Sequence, residues 1–278
     1  MTDFDKVSSY YDVFNEWGRL DAPEGKLEFD LCLPIINKYL PPNAEILDLG
    51  GGPGRYTITL AQLGYTLHLA DLSQTLLDQA KNRIFELGIN NVKSISQINA
   101  TDLSLYKDSS FDAVLLFGPL YHLTNESERL SCVKEVNRVL KTNGVVFASF
   151  IPYLTGAKGV AVRMFHFPDQ AGVETLSRVF NNGIFNNNAN HGFQEGYYPT
   201  SKEIALLFNK NGFSKVLLRS IRGWGSGQEE QIYKLKSENP LAYETVIELI
   251  NKTADDPSII EMCSHAIYIG KKNDTNFY

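Results

Sequence analysis

The feature that most constrains this chain is a short aliphatic run, Glu45–Leu49, that leads straight into Gly50-Gly51-Gly52-Pro53-Gly54 and then into a helix-forming stretch, Tyr56–Leu63, closed by Gly64. A strand feeding a glycine-rich turn and then a helix is the entry unit of an open parallel α/β sheet. Such a turn lies at the C-terminal edge of the sheet, where these folds bind ligands; it exposes backbone N–H groups, and glycine lets a ligand approach where a Cβ would clash. The same rhythm continues. A second strand, Thr66–Ala70, ends at Asp71; a helix over Gln74–Leu87 stops at Gly88; a weaker strand follows at Val92–Ile98. The run Ala113–Phe117 is nearly all apolar, as a central parallel strand should be. Helix Ser127–Leu140 and strand Val145–Phe150 complete the alternation. After Phe150 the pattern breaks. Residues 151–199 are rich in Gly, Asn and aromatics and take no assignment, with Asn181–Asn190 read as a solvated loop. Helix Ser201–Asn211, strand Lys215–Ile221, one helical insertion over Glu229–Lys252 and a last strand His265–Lys271 follow.

The ligand at the glycine turn is narrowed by its neighbours. A dinucleotide fingerprint reads GxGxxG, but here the position of its last glycine is Arg55. Asp48 stands at the strand end, where a carboxylate repels a pyrophosphate yet suits the ammonium group of an amino-acid moiety. S-adenosylmethionine carries an amino acid and no phosphate, so the turn favours that methyl donor over NAD. Asp71, at the end of the second strand, is placed to accept from ribose hydroxyls in either case.

Five segments together resemble the class I S-adenosylmethionine-dependent methyltransferase family: LDLGGGPGRY (47–56), LADLS (69–73), NATDLS (99–104), FDAVLLFGPLYHL (111–123) and RVLKTNGVVFASF (138–150). The resemblance implies a Rossmann-like seven-stranded sheet of order 3214576 with the seventh strand antiparallel and helices on both faces. It further implies that Gly50, Gly52 and Gly54 line the methionine end, that Tyr56, Phe117 and Gly118 also bind the cofactor, that Asp71 meets the ribose, and that Leu72 and Ala100-Thr101 pack around the adenosine; Asp102 is either the acceptor for the adenine amino group or an aspartate that caps its own loop. On this reading residues 1–278 form one domain, with an N-terminal helical cover over 1–40 and substrate-side insertions at 151–200 and 225–262.

Methyl transfer from a sulfonium needs alignment and dryness first, and a general base only where the acceptor must lose a proton. Gly118-Pro119-Leu120-Tyr121-His122-Leu123 falls where the family faces the donor methyl. His122 is therefore either a base or substrate-binding group, or a histidine that fixes its loop; Tyr121 is either packing or substrate contact. An amphipathic helix carries Tyr11, expected to close over the donor, and Trp17 and Arg19, expected at the acceptor or else docking the helix and facing solvent. His191 and Tyr198, in a segment that also holds Arg163, His166, Glu195 and Tyr197, are candidates for a substrate lid.

With 43% hydrophobic and 21% charged residues over 278 positions, there is ample material for a core. The net charge of −6 and the pI near 5.4 argue against a nucleic-acid partner. Cys32, Cys132 and Cys263 show no metal-like spacing, so no metal is expected. The polar start and the lack of any run approaching the ~20 apolar residues of a membrane span point to a cytoplasmic protein. The expected function is methylation of a small-molecule acceptor. The alternatives are N-methylation of a peptide or protein terminus, with Glu195, Glu229 or Glu230 lining an open groove, and a non-catalytic donor-binding protein.

Overall fold

A computed structural model describes residues 2–274. Three helices come first: α1 (Phe4–Val13), α2 (Glu16–Asp21) and α3 (Pro23–Tyr39). The alternation then reads β1 (Glu45–Leu49), α4 (Arg55–Gln62), β2 (Thr66–Asp71), α5 (Gln74–Glu86), β3 (Val92–Gln97), β4 (Phe111–Leu116), a 3₁₀ turn at Pro119–Tyr121, α6 (Glu126–Val139) and β5 (Leu140–Phe150). Next come α7 (Tyr153–His166), α8 (Val173–Asn182), the short strands β6 (Ile184–Asn186) and β7 (Glu195–Tyr197), α9 (Ser201–Lys210) and β8 (Phe213–Ser220). A 3₁₀ turn at Gly223–Gly225, α10 (Glu229–Glu238), α11 (Pro240–Thr253), α12 (Pro257–Met262) and β9 (Ala266–Lys272) are the last elements of the described residues.

One sheet runs β3-β2-β1-β4-β5-β9-β8. With the separate β6-β7 hairpin left out of the count, this is the expected 3214576. β9 pairs antiparallel with both β5 and β8, while β1, β2, β3, β4 and β5 pair in parallel. The interior positions of β1 and β4 are buried on both faces, so their aliphatic runs carry no period-two alternation. One face packs on α6 and α9, with Phe208 stacked on Tyr268; the other packs on α3, α4 and α10.

Three expectations fail, each for a local reason. The N-terminal amphipathic stretch is two helices, because Asn15 caps α2 by accepting from Gly18 N–H and Phe14 is extended. The Glu229–Lys252 insertion is split where Asn239 caps a helix beginning at Pro240. Residues 151–199 hold two helices and a hairpin around a small core of Val160, Val179, Phe185 and Tyr198. Among the described residues no helix is long and apolar enough to cross a membrane.

Candidate active site

A cleft opens at the C-terminal edge of β1, β2 and β4, and the three N-terminal helices roof it. Phe4, Val7, Ser8 and Tyr11 of α1 face it, as do Gly25, Glu28, Phe29 and Cys32 of α3. Both sets follow the i, i+3, i+4, i+7 spacing of one helical face. The cleft encloses about 1320 Å³, counting solvent at its mouth.

The glycine turn forms the floor, though its amides are committed within the protein. Gly50 and Gly51 donate to Ala70 O, Gly54 donates to Gly51 O, and Gly52 donates to Asp71 Oδ2 at 2.8 Å. The glycines act sterically instead. Gly50 has φ +77°, and a Cβ there would stand 2.5 Å from Pro119 Cδ. Gly54 is left-handed at the start of α4 and does not line the cleft.

Asp48 is the unusual group of the floor. Its Oδ2 accepts from Thr57 N–H and Oγ–H at 3.1 and 2.7 Å, while Oδ1 is buried with no partner among the described residues. Burial pushes its carboxyl up to about 6 against the pull of the Thr57 hydrogen bonds. Asp71, also raised by burial, accepts from Ser73 N–H through Oδ1 and from Gly52 N–H through Oδ2. Each oxygen retains a lone pair for a further donor.

His122 and Tyr11 meet. Tyr11 Oη lies 2.8 Å from His122 Nε2, and His122 Nδ1 lies 3.1 Å from Glu195 O. A carbonyl only accepts, so Nδ1 carries the hydrogen and Nε2 accepts from the tyrosine. Burial lowers His122 to about 4 and pushes Tyr11 well above the usual phenol range, so both are neutral. α1 is strapped down at further points: Thr2 N–H to Glu128, Asp3 N–H to Glu195, and Ser73 Oγ–H to Asp12.

Of the other expected residues, Tyr56, Leu72, Phe117, Gly118, Tyr121 and Arg19 line the cleft, with Arg19 donating from Nε to Glu16 Oε2 at 2.9 Å. Asp102 does not. It is exposed and caps its own loop by accepting from Ser104 N–H, while Thr101 turns to Asn99. The cleft is lined there by Ile98, Asn99 and Ala100. Trp17 lies under the Arg83 guanidinium, 3.9 Å away, and docks α2 on α5. His191 is exposed beside Asp169, and Tyr198 belongs to the small core below α7. None of these three reaches the cleft. Glu16, Glu28, Ser149 and His265 do, and none of them is among the site residues expected from the sequence.

A model of the methyltransferase domain matches residues 46–144, from β1 into β5. Over these residues the chain is similar to the methyltransferase domain, and its sheet shares the fold of S-adenosylmethionine-dependent methyltransferases. It is 31% identical to a ubiquinone/menaquinone biosynthesis C-methyltransferase of Zymomonas mobilis over 145 residues, 52% of this chain and 56% of that protein. The alignment thus spans little more than half of that relative. It is 25% identical over 188 residues to a ubiquinone biosynthesis O-methyltransferase of Xanthomonas campestris, covering 66% of this chain and 71% of that one. Among solved structures, a methyltransferase of Methanosarcina mazei superposes with a TM-score of 0.60 at 22% identity, covering 86% of this chain and 97% of the other.

Proposed function

We propose that this protein transfers the methyl group of S-adenosylmethionine to a small-molecule acceptor held under α1–α3. The observation that carries the reading is Asp48, which lines the cleft beside the glycine turn and whose buried carboxylate Oδ1 has no partner among the described residues. An isolated buried charge is costly, and a ligand ammonium group supplies the missing interaction. In this assignment Asp48 holds the amino-acid end, Asp71 accepts from the ribose hydroxyls, and Leu72 with Ile98–Ala100 encloses the adenine. When bound, the donor supplies a methyl group on a sulfonium whose positive charge disappears on transfer. The chain's own residues position and dry that reaction: α1, fastened by Tyr11 and His122, roofs the cleft, and Phe4, Phe117 and Tyr121 wall it.

The closed roof favours a small acceptor over a peptide. The carboxylates that an open peptide groove would need are used elsewhere. Glu195 is buried against Thr124 and Asp3, Glu229 pairs with Arg222 inside the fold, and Glu230 does not line the cleft. The biosynthetic relatives add support, since both are named for methylation in the making of a small molecule. We place the protein in the cytoplasm, in keeping with three buried, unpaired cysteines.

The test is calorimetric titration with S-adenosylhomocysteine. Wild type binds, and Asp71→Ala weakens binding by at least about tenfold, the equivalent of one charge-assisted hydrogen bond. Equal affinity in the variant places the ribose elsewhere.

A further inference from the structure

A second polar pair lines the cleft on the side away from Asp48 and Asp71 in sequence, and neither strand motif announces it. His265 immediately precedes β9. Because β9 runs antiparallel, its first residue Ala266 pairs with Phe150, the last of β5, which delivers His265 to the ligand edge of the sheet. There its Nδ1 lies 2.7 Å from Oε2 of Glu28, 237 residues earlier on α3. Burial pushes the Glu28 carboxyl up, but His265, Arg222 (Nε at 3.5 Å) and Arg19 outweigh it and hold it near 2. An ionised carboxylate only accepts, so the imidazole hydrogen sits on Nδ1. Nε2 is then the basic nitrogen, and it has no hydrogen-bond partner among the described residues. The Tyr121 ring lies nearly parallel to the imidazole, 5.9 Å between centroids at 23°.

His122 contrasts at every point. Its Nε2 is engaged by Tyr11, its Nδ1 by a carbonyl, and its burial disfavours protonation. A group so committed fastens a roof better than it takes a proton.

We propose that His265, oriented by Glu28, is the general base that takes the proton from the acceptor, and that the acceptor is a small phenol. This rests on the methyl-transfer reading above. In the step, the phenolic O–H bond breaks and its proton passes to His265 Nε2. The oxygen's electron pair forms the new O–C bond to the methyl carbon, and the carbon–sulfur bond breaks with its pair remaining on sulfur. The products are an aryl methyl ether and S-adenosylhomocysteine, with the imidazolium held beside the Glu28 carboxylate. A neutral amine needs no base before it attacks, whereas a phenol must shed its proton; the walls of Phe4, Phe117 and Tyr121 suit a flat ring. Glu28 acts through His265 and is a positioning residue.

The experiment uses 4-nitrophenol as probe, with its phenolate absorbance as readout, in wild type, His265→Asn and Glu28→Gln, each with and without S-adenosylhomocysteine. The wild type binds the probe and raises its ionised fraction above that of free probe at the same pH. His265→Asn, whose amide still reaches Glu28, loses that rise and binds about tenfold more weakly. Glu28→Gln binds the probe but lowers the ionised fraction several-fold. Both variants keep S-adenosylhomocysteine affinity within about twofold. A wild type that leaves the probe un-ionised, or a His265→Asn protein indistinguishable from it, overturns the proposal. A wild type that ionises the probe but does not bind S-adenosylhomocysteine overturns the donor assignment and leaves the pair standing.

Discussion

The Tyr11 hydroxyl donates to His122 Nε2 at 2.8 Å, joining the roof helix α1 to the turn that ends β4, 111 residues away. Because His122 Nδ1 is spent on Glu195 O, this is the imidazole's remaining bond. Tyr11→Phe leaves a buried acceptor unsatisfied, which costs about 1–3 kcal/mol. The expected result is faster amide exchange over Phe4–Val13 and weaker donor affinity, with the sheet amides unchanged. Unchanged exchange in α1 means the roof is held by other contacts.

Asp48 sets a pH dependence for donor binding. In the free protein its carboxyl titrates at about 6, raised by burial. Below that it is protonated and offers an ammonium group no charge, so S-adenosylhomocysteine affinity falls as the pH drops through about 6. Calorimetry in buffers of differing ionisation enthalpy will show proton release on binding in that acid range. Asp48→Asn binds weakly at every pH and shows no release.

Gly50→Ala meets two obstacles: a left-handed φ that costs an alanine about 1–2 kcal/mol, and the Pro119 ring 2.5 Å from the new Cβ. The turn and the Gly118-Pro119 segment must then separate. Donor affinity falls at least about tenfold and the melting temperature drops. A variant that binds like wild type shows that this contact relaxes freely.

His122 weakens the fold in acid. The unfolded chain takes up a proton near pH 6.5 and the folded one only near 4, so the unfolded state binds more protons between them. The contribution is present in full above about 6.5 and is lost as the pH falls toward 4, an amount of about 3 kcal/mol. Asp48, raised from 3.8 to about 6, acts in the opposite sense over part of this range. The difference between wild type and His122→Gln in urea unfolding isolates the histidine: the variant is less sensitive to acid. Equal sensitivity assigns the acid loss to other groups.

The floor of the site was legible because it is local. Asp48, the glycines, Asp71 and Gly118-Pro119 lie at strand ends, and strand ends are read from hydrophobic runs and the glycines after them. The sheet order followed from the family resemblance, not from any strand taken alone. The upper site was not legible. Glu28 and His265 become neighbours only because the last strand is antiparallel and a long helix crosses the edge, and no spacing in the chain encodes that meeting. Asp102 misled for a simpler reason. In NATDLS both Asn99 and Asp102 sit at a loop, and the carboxylate serves Ser104 while the neighbouring amide lines the cleft. His191 and Tyr198 were placed by residue type in a segment whose helices and hairpin form their own core, which turns Tyr198 inward and leaves His191 beside Asp169.

The central claim is tested most directly by incubating the purified protein with methyl-labelled S-adenosylmethionine and a size-fractionated host extract. The account predicts label in the small-molecule fraction, lost with Asp71→Ala. Label in peptide, protein or RNA, or none at all from a protein that binds S-adenosylhomocysteine, contradicts it.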